Sequence, residues 1–302
     1  MLELQGMIVP LVTPFDSHDA IDGPALISVA ERARSHGASG LMLTALTGEG
    51  PLLSANESET VWRTVMERYR GEMPIIPAIF PTTTVEAIRL GTLASNLGAS
   101  AIMVAAIMPE LYGRRAHEHV LRFFQTFCGA VPLPVVLFNY PSVAGYDLTP
   151  DLVLQLAEIS NIWGIKESTG DSRRVSEILY RSKGRIKIVC GAPDVALESL
   201  ALGSEAWITA ITNVVPAASR ALIDAMQARD LAKARELNYR VIRPMFDLIR
   251  ESSNTIGTIK AGLVLRGIKA GAPRPPGLPL PVDRKLQTAF EDIFRVETQL
   301  LS

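Results

Sequence analysis

The chain has 302 residues, 48% of them hydrophobic and 20% charged, with 22 Gly and 20 Pro. That length and apolar content exclude a miniprotein and an intrinsically disordered chain, and leave one large domain or two modest ones. Thirty basic residues against thirty-one acidic ones give a formal net charge of -1, so the field that gathers nucleic acid or an anionic membrane is missing.

Small neutral or weakly charged partners fit that balance better. Cys128 and Cys190 form no CxxC pair, which argues against a disulfide framework or a cysteine zinc site and makes the cytoplasm the expected compartment. The first residues, Met-Leu-Glu-Leu-Gln-Gly, lack the basic-then-apolar pattern of a signal peptide, and apolar runs such as 101–108 fall short of a membrane span.

Eight short apolar runs recur along the chain, at 7–15, 40–46, 74–80, 101–108, 134–140, 162–168, 186–190 and 206–211. Most are continuous in Val, Ile, Leu, Met and Ala, as expected of parallel strands covered on both faces. Between them, helical periodicity runs through 24–36, 57–70, 84–97, 116–127, 150–158, 173–181 and 195–202. Ser54 and Thr83 stand where two helices should be capped, and Gly37 and Gly98 where two should stop. Eight strand–helix alternations in the first 215 residues predict a TIM (β/α)8 barrel rather than a doubly wound sheet. After residue 215 the pattern is helix only, through 217–228, 232–250 and 255–267, then a Pro-rich turn at 273–281 and a last helix from Asp283. The expected division is a barrel over 1–215 and a C-terminal helical appendage over 216–302, packed on the barrel and supplying part of its eighth helix position.

Arginine is the default cation of this chain: only seven of the thirty basic residues are lysines, and none precedes Lys166. A retained lysine suits a position that needs an amine able to lose its proton. Lys166 also falls at the carboxyl end of the sixth strand, the end where barrel active sites are built, and apolar neighbours there would lower its pKa. Alone, it reads equally as a solvated residue leaving a strand. Thr47-Gly48-Glu49 follows the second strand as a carboxylate-holding loop or a plain turn. Phe138-Asn139-Tyr140-Pro141 closes the fifth as a site wall or a buried aromatic pair before a proline stop.

These pieces, joined by Ile8-Val9-Pro10-Leu11-Val12-Thr13-Pro14-Phe15 and by Gly164-Ile165-Lys166-Glu167-Ser168-Thr169-Gly170-Asp171, resemble the dihydrodipicolinate synthase and N-acetylneuraminate lyase family over most of the chain. The resemblance implies a TIM-barrel class I lyase, commonly a homotetramer, that binds pyruvate or another 2-oxo acid as an imine on Lys166. It places the substrate carboxylate at Thr47 and Gly48, beside Leu46, and the carbonyl of Ile208 along the imine site. The imine is its own electron sink, and no Walker loop or dinucleotide fingerprint is present, so no cofactor is expected.

The chain also departs from the family. Ala45-Leu46-Thr47-Gly48-Glu49 loses at Leu46 the first hydroxyl of the usual Thr-Thr or Ser-Thr pair, and Phe138 replaces the tyrosine that shuttles protons. Val143 stands where dihydrodipicolinate synthases carry an arginine, which points away from lysine biosynthesis and toward another 2-oxo acid, such as a 2-keto-3-deoxy sugar acid. Tyr140, Tyr112, Glu49, water and the substrate's own carboxylate are the candidates to move protons instead. Trp207 reads more as core than as site. His117-Glu118-His119 suggests a metal, but side chains two apart diverge on a helix, so no metal is expected. The reading is a 2-oxo-acid lyase and homo-oligomer, a tetramer or dimer, with no nucleic-acid or membrane partner. Its alternatives are dihydrodipicolinate synthase proper and a catalytically impaired 2-oxo-acid-binding or regulatory homologue.

Overall fold

The apolar runs become strands because both of their faces are covered. In the computed structural model, which describes residues 3–106 and 116–302, eight parallel strands close a barrel in sequence order. They are β1 (Gly6–Pro10), β2 (Gly40–Leu43), β3 (Ile75–Ile79), β4 (Ile102–Ala105), β5 (Val135–Asn139), β6 (Ile162–Glu167), β7 (Lys187–Cys190) and β8 (Ala206–Trp207), with β8 paired back onto β1. The intervening helices are α1 (Gly23–Ser35), α2 (Ala55–Tyr69), α3 (Thr84–Leu97), α4 (Ala116–Ala130), the short α5 (Pro141–Ala144), α6 (Pro150–Leu156), α7 (Ser172–Ser182) and α8 (Ala196–Ala201). A closed parallel barrel ringed by helices is the predicted fold class.

Strand residues alternate between two cores. Ile8, Met42, Ile76, Met103, Val136 and Val189 fill the barrel, whereas Val9, Leu41, Ile75, Val104, Leu137 and Ile188 pack outward against the helices. Each buried side chain of this size contributes roughly 1.5–3 kcal/mol. The alternation is broken once. Between β5 and β6 the register steps from Val135↔Ile162 to Val136↔Gly164, so Trp163 is an extra residue on β6, a bulge. Ile162 and Ile165 therefore face outward, while Trp163 packs inward and Phe138 lies opposite Lys166.

Several strands stop short of their apolar runs, and the chain turns over the barrel mouth there. After β2, Thr44 takes a left-handed φ of 52° and Leu46–Gly48 forms a single 3-10 turn. β8 spans two residues because Ala210–Asn213 already turns. Predicted caps form as expected: Ser54 and Glu57 make a reciprocal capping box, Thr83 accepts from the Glu86 amide, and Gly98 ends α3 with φ 87°.

The tail comprises α9 (Pro216–Gln227), α10 (Leu231–Leu237), a π-helical turn over Asn238–Ile242, α11 (Arg243–Ser252), α12 (Thr255–Leu265) and α13 (Arg284–Leu301). α9 packs on β1 and α8, closing the helical ring. α13 is fastened by Glu297, a buried carboxylate that accepts the Ala218 amide at 3.0 Å and pairs with Arg266, the residue that caps the end of α12. Glu297→Ala leaves that amide without its acceptor and a largely buried guanidinium unpaired. The expected cost is about 3 kcal/mol, read as a lower urea midpoint, with Glu297→Gln costing less. A loss below about 0.5 kcal/mol for the alanine variant would show that this pair does not hold the tail.

Candidate active site

Register sets the site. Lys166 lies between Phe138 on β5 and Val189 on β7, both members of the barrel's inner core, so its side chain enters an apolar interior. The residue is 9% exposed, and its Nζ sits 5.2 Å from the centroid of the Phe138 ring. Burial pushes the amine down to about 8. The group acting against that shift is Cys190, whose own thiol is pushed up to about 12 by burial and is uncharged at neutral pH. A substantial fraction of Lys166 is therefore a neutral, nucleophilic amine near pH 8. Gly191 makes room for it: a Cβ there would lie 3.0 Å from Lys166 Cε and 1.9 Å from Ser168 Oγ.

Lys166 opens into a cavity of about 520 Å³, within the size range of small-molecule sites. Leu46, Thr47, Phe138, Tyr140, Ser168 and Thr209 line it from strand ends. Tyr140 stands edge-on to Phe138 at 6.3 Å between ring centroids, and Phe80 does the same from the other side at 5.8 Å. Helices α11 and α12 roof the cavity with Phe246, Ile249 and Ile256.

The residues that follow Phe138 and Lys166 in sequence point the other way and brace the strand ends. Asn139 donates to Glu167 Oε2 at 3.0 Å and accepts the Leu148 amide at 2.9 Å. Arg174 of α7 reaches Glu167 at 3.3 Å and Asp147 at 2.8 Å. Glu167 Oε1 also accepts the Thr169 amide at 2.8 Å, folding the chain after β6 back over the mouth.

The Thr47 turn is braced from the tail. Glu49 adopts φ 57° and is buried, with Oε1 2.7 Å from Lys260 Nζ and Oε2 accepting the Arg274 amide at 2.7 Å. Lys260, in turn, donates to the carbonyls of Thr13 and Ala272 at 2.9 and 2.8 Å. Thr13 Oγ1 donates to the Gly48 carbonyl at 2.7 Å, and a Cβ on Gly48 would lie 2.8 Å from the Leu11 carbonyl oxygen. The Glu49 carboxylate is thus engaged as an anchor and does not line the cavity, which removes it from the groups placed to move substrate protons.

Of the residues selected from sequence, Lys166, Thr47, Leu46, Phe138 and Tyr140 meet around one cavity. Gly48 and Ile208 do not line it: Gly48 backs the turn, and Ile208 is fully buried in the inner core, its amide donating to the Cys190 carbonyl at 2.9 Å. Trp207 points outward into the helix-facing core. Tyr112 falls outside the described residues. His117 meets Gln155 at 3.0 Å, and among the described residues no three His, Cys, Asp or Glu side chains converge as a metal site. Sequence reasoning missed Ser168 and the roof. Ser168 was findable, two residues beyond Lys166 on the same strand run. Phe246 and Ile256 carry no local signal, because they read as one face of amphipathic tail helices.

An eight-stranded parallel barrel whose mouth holds a desolvated lysine amine is the architecture of class I, imine-forming lyases. The sequence profile of the dihydrodipicolinate synthetase family matches residues 3–295. The 4-hydroxy-tetrahydrodipicolinate synthase of Syntrophus aciditrophicus is 32% identical over 292 residues, 97% of each chain. A candidate dihydrodipicolinate synthetase of Pseudomonas aeruginosa superposes with a TM-score of 0.91 at 33% identity, covering 96% of this chain and 100% of that one. YagE, a prophage protein of the dihydrodipicolinic acid synthase family from E. coli K12 solved with pyruvate, gives 0.89 at 27% identity, covering 97% and 98%. The chain belongs to the dihydrodipicolinate synthetase family, and with it to the imine-forming lyases.

Gly191→Ala tests the space around the amine. Reductive labelling of Lys166 by a small aldehyde at pH 8 is expected to slow about tenfold, with a stability loss of about 1–3 kcal/mol from overpacking. Unchanged labelling and an unchanged melting temperature would mean that the glycine is not what gives Lys166 its freedom.

Proposed function

We propose that Lys166 is the nucleophile of this lyase and that its substrate carries the head of a 2-oxo acid, pyruvate being the simplest. The observation that carries the reading is a lysine amine buried at the carboxyl end of a barrel strand and opening into the cavity, where desolvation favours its neutral form. Neutral Nζ adds to the C2 carbonyl, and the addition product takes up a proton and loses water to give an iminium. The Thr47 hydroxyl and the amides of its turn bind the substrate carboxylate. The iminium then draws electrons from a bond at C3: either C3–C4 breaks as the C4 hydroxyl loses its proton and an aldehyde leaves, or C3 loses a proton to a base ahead of elimination; each leaves an enamine, whose protonation and hydrolysis release an oxo acid and free Lys166. Tyr140 supplies the phenol of the cavity and is the group assigned to proton transfer; Phe138, with no exchangeable proton, is assigned to the wall. Pyruvate in the YagE complex supports the head group.

4-Hydroxy-tetrahydrodipicolinate synthesis, the activity in the names of the relatives, is the narrower alternative. A 2-oxo-acid-binding protein without turnover is the other, favoured by the absence of a hydroxyl at both Leu46 and Phe138. Family habit extends the proposal to a homo-oligomer, a tetramer or dimer, working in the cytoplasm.

Borohydride added with pyruvate is expected to fix a three-carbon adduct on Lys166, found by peptide mass spectrometry and lost in Lys166→Arg. An unmodified Lys166 would sink the assignment. The initial trapping rate should rise with pH through about 8 and then level off, because deprotonation supplies the nucleophile. A rate still climbing as for an ordinary lysine near 10.4 would show that burial does not tune this amine. Phe138→Tyr separates lyase from binding protein: if the missing phenol alone limits turnover, aldol cleavage rises by about 10²-fold or more.

A further inference from the structure

Polar and apolar groups are segregated in the cavity, and the segregation bears on what lies beyond the head of the substrate. Most of the hydroxyl groups come from barrel-strand ends: Thr47 follows β2, Tyr140 follows β5, Ser168 and Thr169 follow β6 and Thr209 follows β8. They serve the end that holds Lys166 and suit a carboxylate and a carbonyl. The roof is different. Val143 of α5, Phe246 and Ile249 of α11 and Ile256 of α12 present hydrocarbon, joined from the side by Leu46, and among the described residues the exposed Thr255 at the start of α12 is the one roof side chain with a hydroxyl. Val143 is 50% exposed, and Phe246 and Ile256 are half-buried, so this apolar surface is left uncovered until something occupies the cavity.

Charge narrows the choice further. Among the described residues that line the cavity, Lys166 is the single cation, and Asp194 places a carboxylate at the rim. The Arg243 guanidinium on α11 pairs with Asp247 at 3.1 Å and lies 5.8 Å from the Phe246 ring centroid, and it does not line the cavity. A second carboxylate on the substrate would exchange water for hydrocarbon without a counter-charge, and would face Asp194. Hydroxyls spread along a tail would lose their water against Phe246, Ile249 and Ile256 in the same way.

We infer that the protein takes 2-oxo acids with one carboxylate, held at the lysine end, and an uncharged, apolar tail lying against the α5–α11–α12 roof. The inference rests on the imine proposed at Lys166. Its test is the concentration of oxo acid that half-saturates borohydride trapping on Lys166, compared across pyruvate, 2-oxohexanoate, 4-phenyl-2-oxobutanoate, 2-oxoglutarate and 2-keto-3-deoxygluconate. The two apolar acids are expected to half-saturate at concentrations about tenfold or more below that of 2-oxoglutarate. Val143→Arg, which sets a cation on the exposed α5 turn, should move the ratio toward 2-oxoglutarate by about tenfold. Equal or tighter trapping of 2-oxoglutarate or of the sugar acid overturns the inference, and an unchanged ratio in Val143→Arg overturns the placement of the tail at this roof. The pyruvate arm keeps the two readings apart. If pyruvate is trapped but apolar tails gain nothing, the inference fails alone; if no oxo acid is trapped, the assignment of Lys166 fails and the inference with it.

Discussion

The site depends on one extra residue in a strand. In a regular β-strand, positions two apart share a face, so Ile162, Gly164 and Lys166 would all point the same way. Ile162 packs against the helices and Lys166 enters the barrel, and the bulge at Trp163 is what reconciles them. Without it, the register that pairs Val135 with Ile162 would set Ile165 rather than Lys166 opposite Phe138. Gly164 is part of the device: a Cβ there would lie 2.5 Å from the Lys187 carbonyl oxygen on β7. The desolvation of Lys166 is a consequence of this placement, since the same side chain on the outer face would have met different neighbours.

Around that placement the structure separates chemistry from support by strand parity. Inward residues Phe138 and Lys166 meet the cavity; their outward successors Asn139 and Glu167 meet Arg174 and Asp147. Buried ion pairs of this kind are weak sources of net stability, because desolvation offsets much of their attraction, but breaking one is costly. Their use here is positional. The Glu49–Lys260 pair obeys the same logic and ties α12 to the turn that carries Thr47, while Arg274 joins Glu49, Glu57 and Asp19 across the same seam. Glu57 is held at about 2 chiefly by its bond to the Arg274 guanidinium, so this carboxylate keeps its charge through the neutral range. The helical tail is therefore fastened to the site at its base and forms its roof at its other end.

The barrel was legible because parallel strands buried on both faces must be apolar throughout, and eight such runs stand between helical patterns. Lys166 was legible by scarcity and position. The limits of sequence reasoning lie where tertiary geometry overrides local pattern. The run 206–211 reads as a strand, yet only Ala206–Trp207 pairs, since the chain must turn above Ile208 to cross the barrel mouth. Glu49 reads as an acid beside a candidate carboxylate loop, and only the fold reveals that a lysine 211 residues later claims it. The bulge at Trp163 leaves no mark except a glycine, and glycine has many uses. Phe246 and Ile256 are invisible as site residues because their apolar character is already explained by helix packing.

Phe138 gathers these threads. At the place where the family carries a proton-shuttling tyrosine, the chain sets a ring that passes no proton, with its centroid 5.2 Å from the amine. An aromatic ring at that distance still acts on charge: its quadrupole attracts a cation by about 0.5–2 kcal/mol when water is excluded. The neutral amine gains nothing from this, whereas an iminium at the same nitrogen, the protonated imine, carries a positive charge that the ring favours over the neutral imine. Under the proposed chemistry the substitution therefore exchanges one kind of assistance for another. In that proposal proton transfer is assigned to Tyr140, which sits edge-on to the same ring, and Phe138 favours the charged intermediate over the free amine. The apolar character of position 138 then belongs with that of Leu46 and the roof, as parts of a cavity adapted to hold one cation among hydrocarbon.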